Sequence, residues 1–201
     1  MREAKRQRIG SIAAAFACAA VLFAGLALQP AAAQTNKKAY VTVSSPLQIP
    51  GTVLSPGTYI FRVLDSTSNR QLIQVWSEDL SKLYVTVLGV PDYRLTSKDK
   101  PILTFDSQTP QIASVGKAWC SPADSFCLVF VYPHNHAAEL AREYREPVLS
   151  MPEALAANLG TGEIRANSPS VEELQQANVS AVGMKGETIR LTDVILDRPK
   201  G

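Results

Sequence analysis

A mainly β fold is predicted by this sequence: an antiparallel β-sandwich of about seven or eight strands, followed by short helices and a C-terminal hairpin. Three observations carry the expectation. Short segments rich in β-branched and aromatic residues recur from Tyr40 to Tyr132, with Gly, Pro, Ser and Asp clusters between them. Within several of them apolar and polar residues alternate with the period of a half-buried strand. No helical period interrupts the series, so nothing supplies the crossovers of a parallel sheet, and the spacing suits an all-β sandwich or barrel.

The elements follow in order. Val41 and Val43 alternate with Thr42 and Ser44, and Pro50-Gly51 breaks the chain. In Leu54-Ser55-Pro56-Gly57-Thr58-Tyr59, Pro is expected to fix the second turn residue and Gly to accept a positive φ at the third. Tyr59, Phe61 and Val63 then share one strand face, with Ile60, Arg62 and Leu64 on the other. The polar run Asp65 to Arg70 is expected to turn the chain into Leu72-Ile73-Gln74-Val75-Trp76, and Ser77 to Lys82 to turn it again. Leu83 to Val90 is nearly continuously apolar, which suits a central strand buried on both faces, and Pro91 is expected to end it. Ile102 to Phe105, Ile112 to Trp119 and Leu128 to Tyr132 complete the series.

Beyond Pro133 the pattern becomes helical. Ala137, Leu140, Ala141 and Tyr144 fall on one helix face, with Glu139, Arg142 and Glu143 outward and Asn135 placed as N-cap. Ser150-Met151-Pro152-Glu153 spells a capping box before Ala154 to Leu159, and Gly160 is placed to stop that helix. Residues 160 to 170 read as a linker and Val171 to Ala177 as a third helix. Val179 to Val182 and Thr188 to Val194 are expected to fold back as a hairpin around Gly183 and Gly186.

The organisation expected is a signal peptide over residues 1–33, a β-sandwich domain with a terminal helix over 34–147, and a helical or partly flexible extension over 148–201. Arg2, Lys5, Arg6 and Arg8 precede an apolar run from Ile9 to Leu28, and Pro30 leads into Ala31-Ala32-Ala33 before Gln34. Basic start, apolar stretch and small-residue cleavage site are the three parts of a secretory signal. The run is long enough to span a bilayer, so an uncleaved anchor is the competing reading. Cleavage predicts a secreted or periplasmic protein with no stable membrane span. Gln7 separates Arg6 from Arg8, so no twin-arginine pair exists, and Ala15-Phe16-Ala17 is a poor lipobox for Cys18.

Removing four basic residues and one acidic residue from a chain of formal charge +2 leaves about −1. A charge-driven nucleic-acid surface therefore has no basis. Removal also leaves 168 of the 201 residues, enough to bury a real core in one domain with an appendage. Two cysteines remain. Cys120 and Cys127 flank a Ser-Pro-Ala-Asp turn, and an even pair in an exported chain reads as one disulfide, worth roughly 2.5 kcal/mol for so short a loop. The six-residue spacing lacks the two-residue gap of a redox or zinc knuckle.

Pro46-Leu47-Gln48-Ile49-Pro50-Gly51, the Leu54 to Tyr59 turn, Val90-Pro91-Asp92-Tyr93-Arg94 and Phe130-Val131-Tyr132-Pro133 together resemble an uncharacterised family of secreted bacterial proteins. The likeness covers roughly residues 37 to 147. It implies an envelope or extracellular setting and a β-rich domain, and brings no assigned activity. The L-x-P-G-x-Y turn is also similar to one in transthyretin-like and surface-adhesin repeat domains.

Sites of chemistry are sparse. His134-Asn135-His136 with Glu139 has the residue types of a metal site, but a helix starting at His136 leaves His134 outside it, and the spacing departs from H-x-H-x3-4-E. Surface histidines at a helix start are the plainer reading. No G-x-S-x-G elbow occurs, and both histidines occupy one short loop. Glu78-Asp79 reads as a solvated pair in a polar turn. Gly160-Thr161-Gly162 lacks the residues of a phosphate cradle, and Asn178-Val179-Ser180 spells a glycosylation site only incidentally. Trp76, Tyr84, Tyr93 and Trp119 lie in or beside strands. An exposed row of such rings would stack on sugars or a partner; core packing is the plainer reading for most of them, and Tyr93 is the one most expected at the surface.

The expectation is a secreted noncatalytic bacterial envelope protein with a binding or structural role and an unknown protein or glycan partner. No catalytic, cofactor or metal residues are assigned. The alternatives are a hydrolase or other enzyme whose site is assembled from scattered residues, and a small metal-binding protein.

Overall fold

The computed structural model describes residues 38–64, 71–93, 95, 100–106, 113–121, 127–156, 173–174 and 176–191. The expected signal, the Asp65 to Arg70 turn, the Ser-Pro-Ala-Asp turn beyond Ser121, the Leu159-Gly160 helix end and the 160–170 linker lie outside these residues. The strands are β1 Lys38–Val43, β2 Leu47–Ile49, β3 Thr52–Leu54, β4 Gly57–Val63, β5 Gln71–Ser77, β6 Leu83–Asp92, β7 Ile102–Thr104, β8 Ser114–Cys120 and β9 Cys127–Phe130. After them come β10 Tyr132–Pro133, helix α1 His134–Tyr144, β11 Val148–Met151, the short helix α2 Glu153–Ala156, β12 Ser180–Val182 and β13 Thr188–Ile189.

Mainly β is correct, but the purely antiparallel arrangement is not. Nine strands form one mixed sheet in the order β1-β4-β5-β6-β9-β8-β2-β3, with β7 also on β8, and four more form a second sheet, β10-β11-β12-β13. Two pairs are parallel, β2 with β8 and β10 with β11. The first joins segments distant in the chain, so no hairpin signal in the sequence specifies it. The second joins consecutive strands through α1, which supplies the crossover a parallel pair needs.

Alternation divides the large sheet into two faces. Val41, Val43, Tyr59, Phe61, Val63, Ile73, Val75, Val85, Val87, Trp119 and Phe130 bury the inner face. Leu47, Ile49 and Leu54 of the β2–β3 hairpin close over it with Ala137, Leu140 and Ala141 of α1. The sheet curls far enough for the hairpin turn to meet β6, since a Cβ on Gly51 would lie 3.2 Å from Val85 Cγ2. Gly51 also has φ +83°, a conformation that glycine adopts without steric cost.

The other face is partly covered by the chain's last third. Leu64, Leu72, Leu88, Val90 and Val131 pack against Leu149, Met151, Leu174, Ala177, Val179 and Ala181. The boundary expected near Pro147 therefore crosses a shared apolar layer. The hairpin at residues 180–189 forms as expected, with Gly183 N–H donating to Glu187 O and Gly186 at φ +82°, and it joins β11 rather than the large sheet.

Four local expectations change. Gly57 has no positive φ; it opens β4 opposite Val43, and the left-handed glycine is Gly51 of the preceding Pro-Gly pair. Pro91 does not end β6, which continues to Asp92. Val131 N–H donates to Leu88 O, so Gly89–Phe130 and Pro91–Leu128 are pairs whose backbone groups point away from the β6–β9 ladder. The position where Pro91 lacks an N–H thus faces the side that β5 has vacated, because the β5 pairing stops at Gly89.

Asn135 is not the N-cap of α1, which starts at His134, two residues before the expected His136, and has no side-chain cap of its own. The capping box also fails to form, because Ser150 is a buried β11 residue bonded through Oγ to Ser180 Oγ at 3.1 Å. Glu153 instead accepts from the Asn135 N–H at 2.8 Å, using the intended capping carboxylate on the neighbouring helix. A non-local pairing overrides the local motif in both cases.

Candidate functional site

On the outer face of β1, β4 and β5, beyond the cover supplied by the second sheet, the side chains form two parallel rows. Ala39, Val41 and Val43 point inward, which leaves Lys38, Tyr40 and Thr42 outward. The registers Tyr40↔Ile60 and Ile60↔Trp76 make one row of an exposed ring, a fully buried aliphatic side chain and a half-buried indole. Lys38↔Arg62, Arg62↔Gln74 and Gln74↔Thr86 make the other.

The second row is polar and partly fixed. Arg62 Nη2 donates to Gln74 Oε1 at 2.9 Å, and Trp76 Nε1 donates to the same oxygen at 3.2 Å. The guanidinium carbon lies 5.7 Å from the Trp76 ring centre, and Lys38 Nζ lies 5.2 Å from that of Tyr40. One buried amide therefore orients both a cation and an indole. Among the described residues neither Lys38 nor Arg62 is paired with a carboxylate. The row ends at Thr86, buried, with an Oγ1 that has no hydrogen-bond partner. Such a surface can stack flat apolar rings and accept negative charge.

The rings named from the sequence do not make one row. Trp119 is wholly buried in the inner core, and its Nε1 has no hydrogen-bond partner. Tyr84 packs edge-on to Tyr59 at 5.2 Å, under Lys82 Nζ at 4.5 Å from its centre. Burial raises the Tyr59 hydroxyl's pKa, helped by Tyr84 and opposed by its 2.7 Å bond to Ser55 O. Tyr93, 74% exposed, lies just past the end of β6. Trp76 alone of the four belongs to the outer face. Lys38, Tyr40, which is 60% exposed, Arg62 and Gln74 were the residues missed, although strand alternation places all four opposite core positions.

The histidines do not converge on an ion-binding site. With the amide as placed, Gln48 Nε2 donates to His136 Nε2 at 2.9 Å, so the lone pair a metal would use is engaged. The His136 ring also meets Tyr132 edge-on at 5.3 Å. Glu139 is exposed on α1, and among the described residues no three His, Cys, Asp or Glu side chains gather as a metal site.

Tyr132 is itself a structural anchor. Its hydroxyl donates to Gly116 O at 2.6 Å in the interior, and burial holds its pKa far above the usual phenol range. Beside it, Lys117 pairs with Glu146 and lies over Phe105, which stacks on Tyr144. These contacts tie α1 and the segment that follows it to β8.

Glu78 and Asp79 do not form an acid–base pair. Asp79 Oδ1 accepts from Ser77 Oγ, Ser81 N–H and Ser81 Oγ, and these bonds, Ser77's first, lower its pKa to about 2. The carboxylate holds the turn in which Leu80 takes φ +60°. Cys120 and Cys127 are directly opposed on β8 and β9 with Cα atoms 4.0 Å apart, and they carry a disulfide. Cys120 N–H donates to Pro101 O on the β7 side, so the cysteines occupy a close, non-hydrogen-bonded cross-strand pair.

No helix among the described residues is long and apolar enough to cross a membrane. Comparison with protein-family models, curated proteins and solved structures gives no match.

Proposed function

We propose that this chain is an exported, noncatalytic binding protein of the bacterial envelope, secreted or periplasmic, and that the outer face of β1, β4 and β5 is its recognition surface. The observation that carries the reading is the paired arrangement of Tyr40 with Trp76 and of Lys38 with Arg62 on one sheet face, with Arg62 and Trp76 held by the same Gln74 oxygen. Rings and cations left at a surface gain less from folding than buried ones, whereas an oriented pair of each reduces the ordering cost of recognition. The Met1 to Ala33 pattern and the cysteine pair support export. The resemblance to secreted bacterial proteins supports the envelope setting.

The test has two arms. Mass spectrometry of the protein from cell fractions should find a mature chain beginning at Gln34 outside the cytoplasm; an intact Met1 to Ala33 segment would mean an anchor. Mature protein on beads should retain envelope material, and the double variant Tyr40→Ala/Trp76→Ala, with unchanged circular dichroism, should lose it. Equal retention by the double variant would sink the assignment of this face.

A further inference from the structure

We infer that the β1–β4–β5 face takes an extended polysaccharide bearing carboxylates, of the uronic-acid type, lying across the strands. The inference rests on the reading of this face as the recognition surface and names its ligand class.

The spacing of the rows supplies the geometry. Tyr40 and Trp76 are two strands apart, about 10 Å across the sheet at the usual strand separation. Ile60 lies between them and is fully buried. A flat polymer with apolar ring faces can rest on both aromatics, whereas a compact ligand meets only one. Lys38 and Arg62 are displaced by two residues along β1 and β4, roughly 7 Å to one side. Carboxylates on that edge of a sugar chain lying on the aromatic row would face the cations.

The chemistry of the row selects the charge. Arg62 has one guanidinium nitrogen engaged by Gln74 and its plane near the Trp76 ring, so the remaining N–H groups form a pre-oriented fork suited to a carboxylate. Neither cation has a carboxylate partner among the described residues. Single-stranded nucleic acid also combines stacking with negative charge. It needs a continuous basic track, however, whereas the polar row continues from Lys38 and Arg62 into the neutral Gln74 and Thr86.

Mature protein with its disulfide intact is titrated calorimetrically with polygalacturonate, its methyl ester, a neutral glucomannan and poly-dT. Polygalacturonate should bind, and the ester and glucomannan should bind at least about tenfold more weakly. Arg62→Lys, which keeps the charge and loses the fork, should weaken polygalacturonate binding about tenfold with unchanged thermal stability. Equal binding of acid and ester, tighter binding of poly-dT, or no binding of polygalacturonate would each overturn the inference. If envelope material is retained through Tyr40 and Trp76 while polygalacturonate is not bound, the face stands and the acidic-glycan class falls. Retention indifferent to Tyr40 and Trp76 removes the face itself.

Discussion

Glu153, the first residue of α2, caps a helix that is not its own: its Oε1 accepts from the Asn135 N–H in the first turn of α1 at 2.8 Å. Helix α1 has no other side-chain cap. Glu153→Ala should therefore cost about 1 kcal/mol, read as a lower midpoint of denaturant unfolding. Glu153→Gln, which keeps an acceptor but loses the charge, should recover part of it.

The buried hydroxyl of Tyr132 is a second checkable contact. Tyr132→Phe leaves the ring packing in place but deprives Gly116 O of its 2.6 Å donor, at a cost of roughly 1–2 kcal/mol. Calorimetric unfolding of the two proteins measures it. An unchanged stability would mean that Gly116 O finds another donor.

Asp79 gives a pH dependence of known sign. Its pKa is lowered from 3.8 to about 2, so its bonds to Ser77 and Ser81 contribute fully above the unfolded value and are lost as pH falls through the folded one. The carboxyl resonance of Asp79 should titrate near pH 2 in a carbon-detected NMR series. Ser77→Ala should move that midpoint upward, because the Ser77 hydroxyl is the leading cause of the shift.

The disulfide should be quantitative in exported protein, with no free thiol in a denaturing, non-reducing titration. Reduction should lower stability by roughly 2.5 kcal/mol without abolishing the fold, since the closed loop is short and Cys120 and Cys127 already face each other in the β8–β9 ladder. Two titratable thiols in protein recovered from outside the cytoplasm would overturn the pairing.

A chain ending at Pro147 is the strongest test of the packing. It would remove β11, β12, β13 and Leu174, exposing Leu72, Leu88 and Val131, all of them wholly buried. Each buried Leu or Val is worth roughly 1.5–3 kcal/mol. The truncated chain should aggregate or lose its cooperative thermal transition. A soluble, cooperatively unfolding product would show that the large sheet is self-sufficient.

What the sequence makes legible is local. Alternation in Lys38–Val43 and Gly57–Val63, the continuous apolar run of β6 and the glycines of the β12–β13 hairpin each mark their element, because side-chain direction in a strand depends on neighbours one or two residues away. The parallel pairing of β2 with β8 was illegible for the opposite reason. Nothing near Leu47 specifies Ser114, and the capping motif at Ser150 gives way to pairing with β12 across the intervening chain. The proposed binding face was half visible. Trp76 was read as a candidate ring, but its association with Tyr40 and Arg62 depends on the order of three strands, which one-dimensional pattern does not contain.

That same parallel join dictates when the molecule can finish assembling. The β2–β3 hairpin can form as soon as Thr52–Leu54 is synthesised, yet Leu47, Ile49 and Leu54 cannot obtain their full cover until β8 arrives, near the end of the large sheet. A chain emerging N-terminus first must therefore hold an unfinished sheet margin through most of its length. Long-range pairings of this kind slow folding and prolong the exposure of sticky intermediates. The fold is committed late, and its window of vulnerability to misassembly is set by the distance along the chain between two strands that end up side by side.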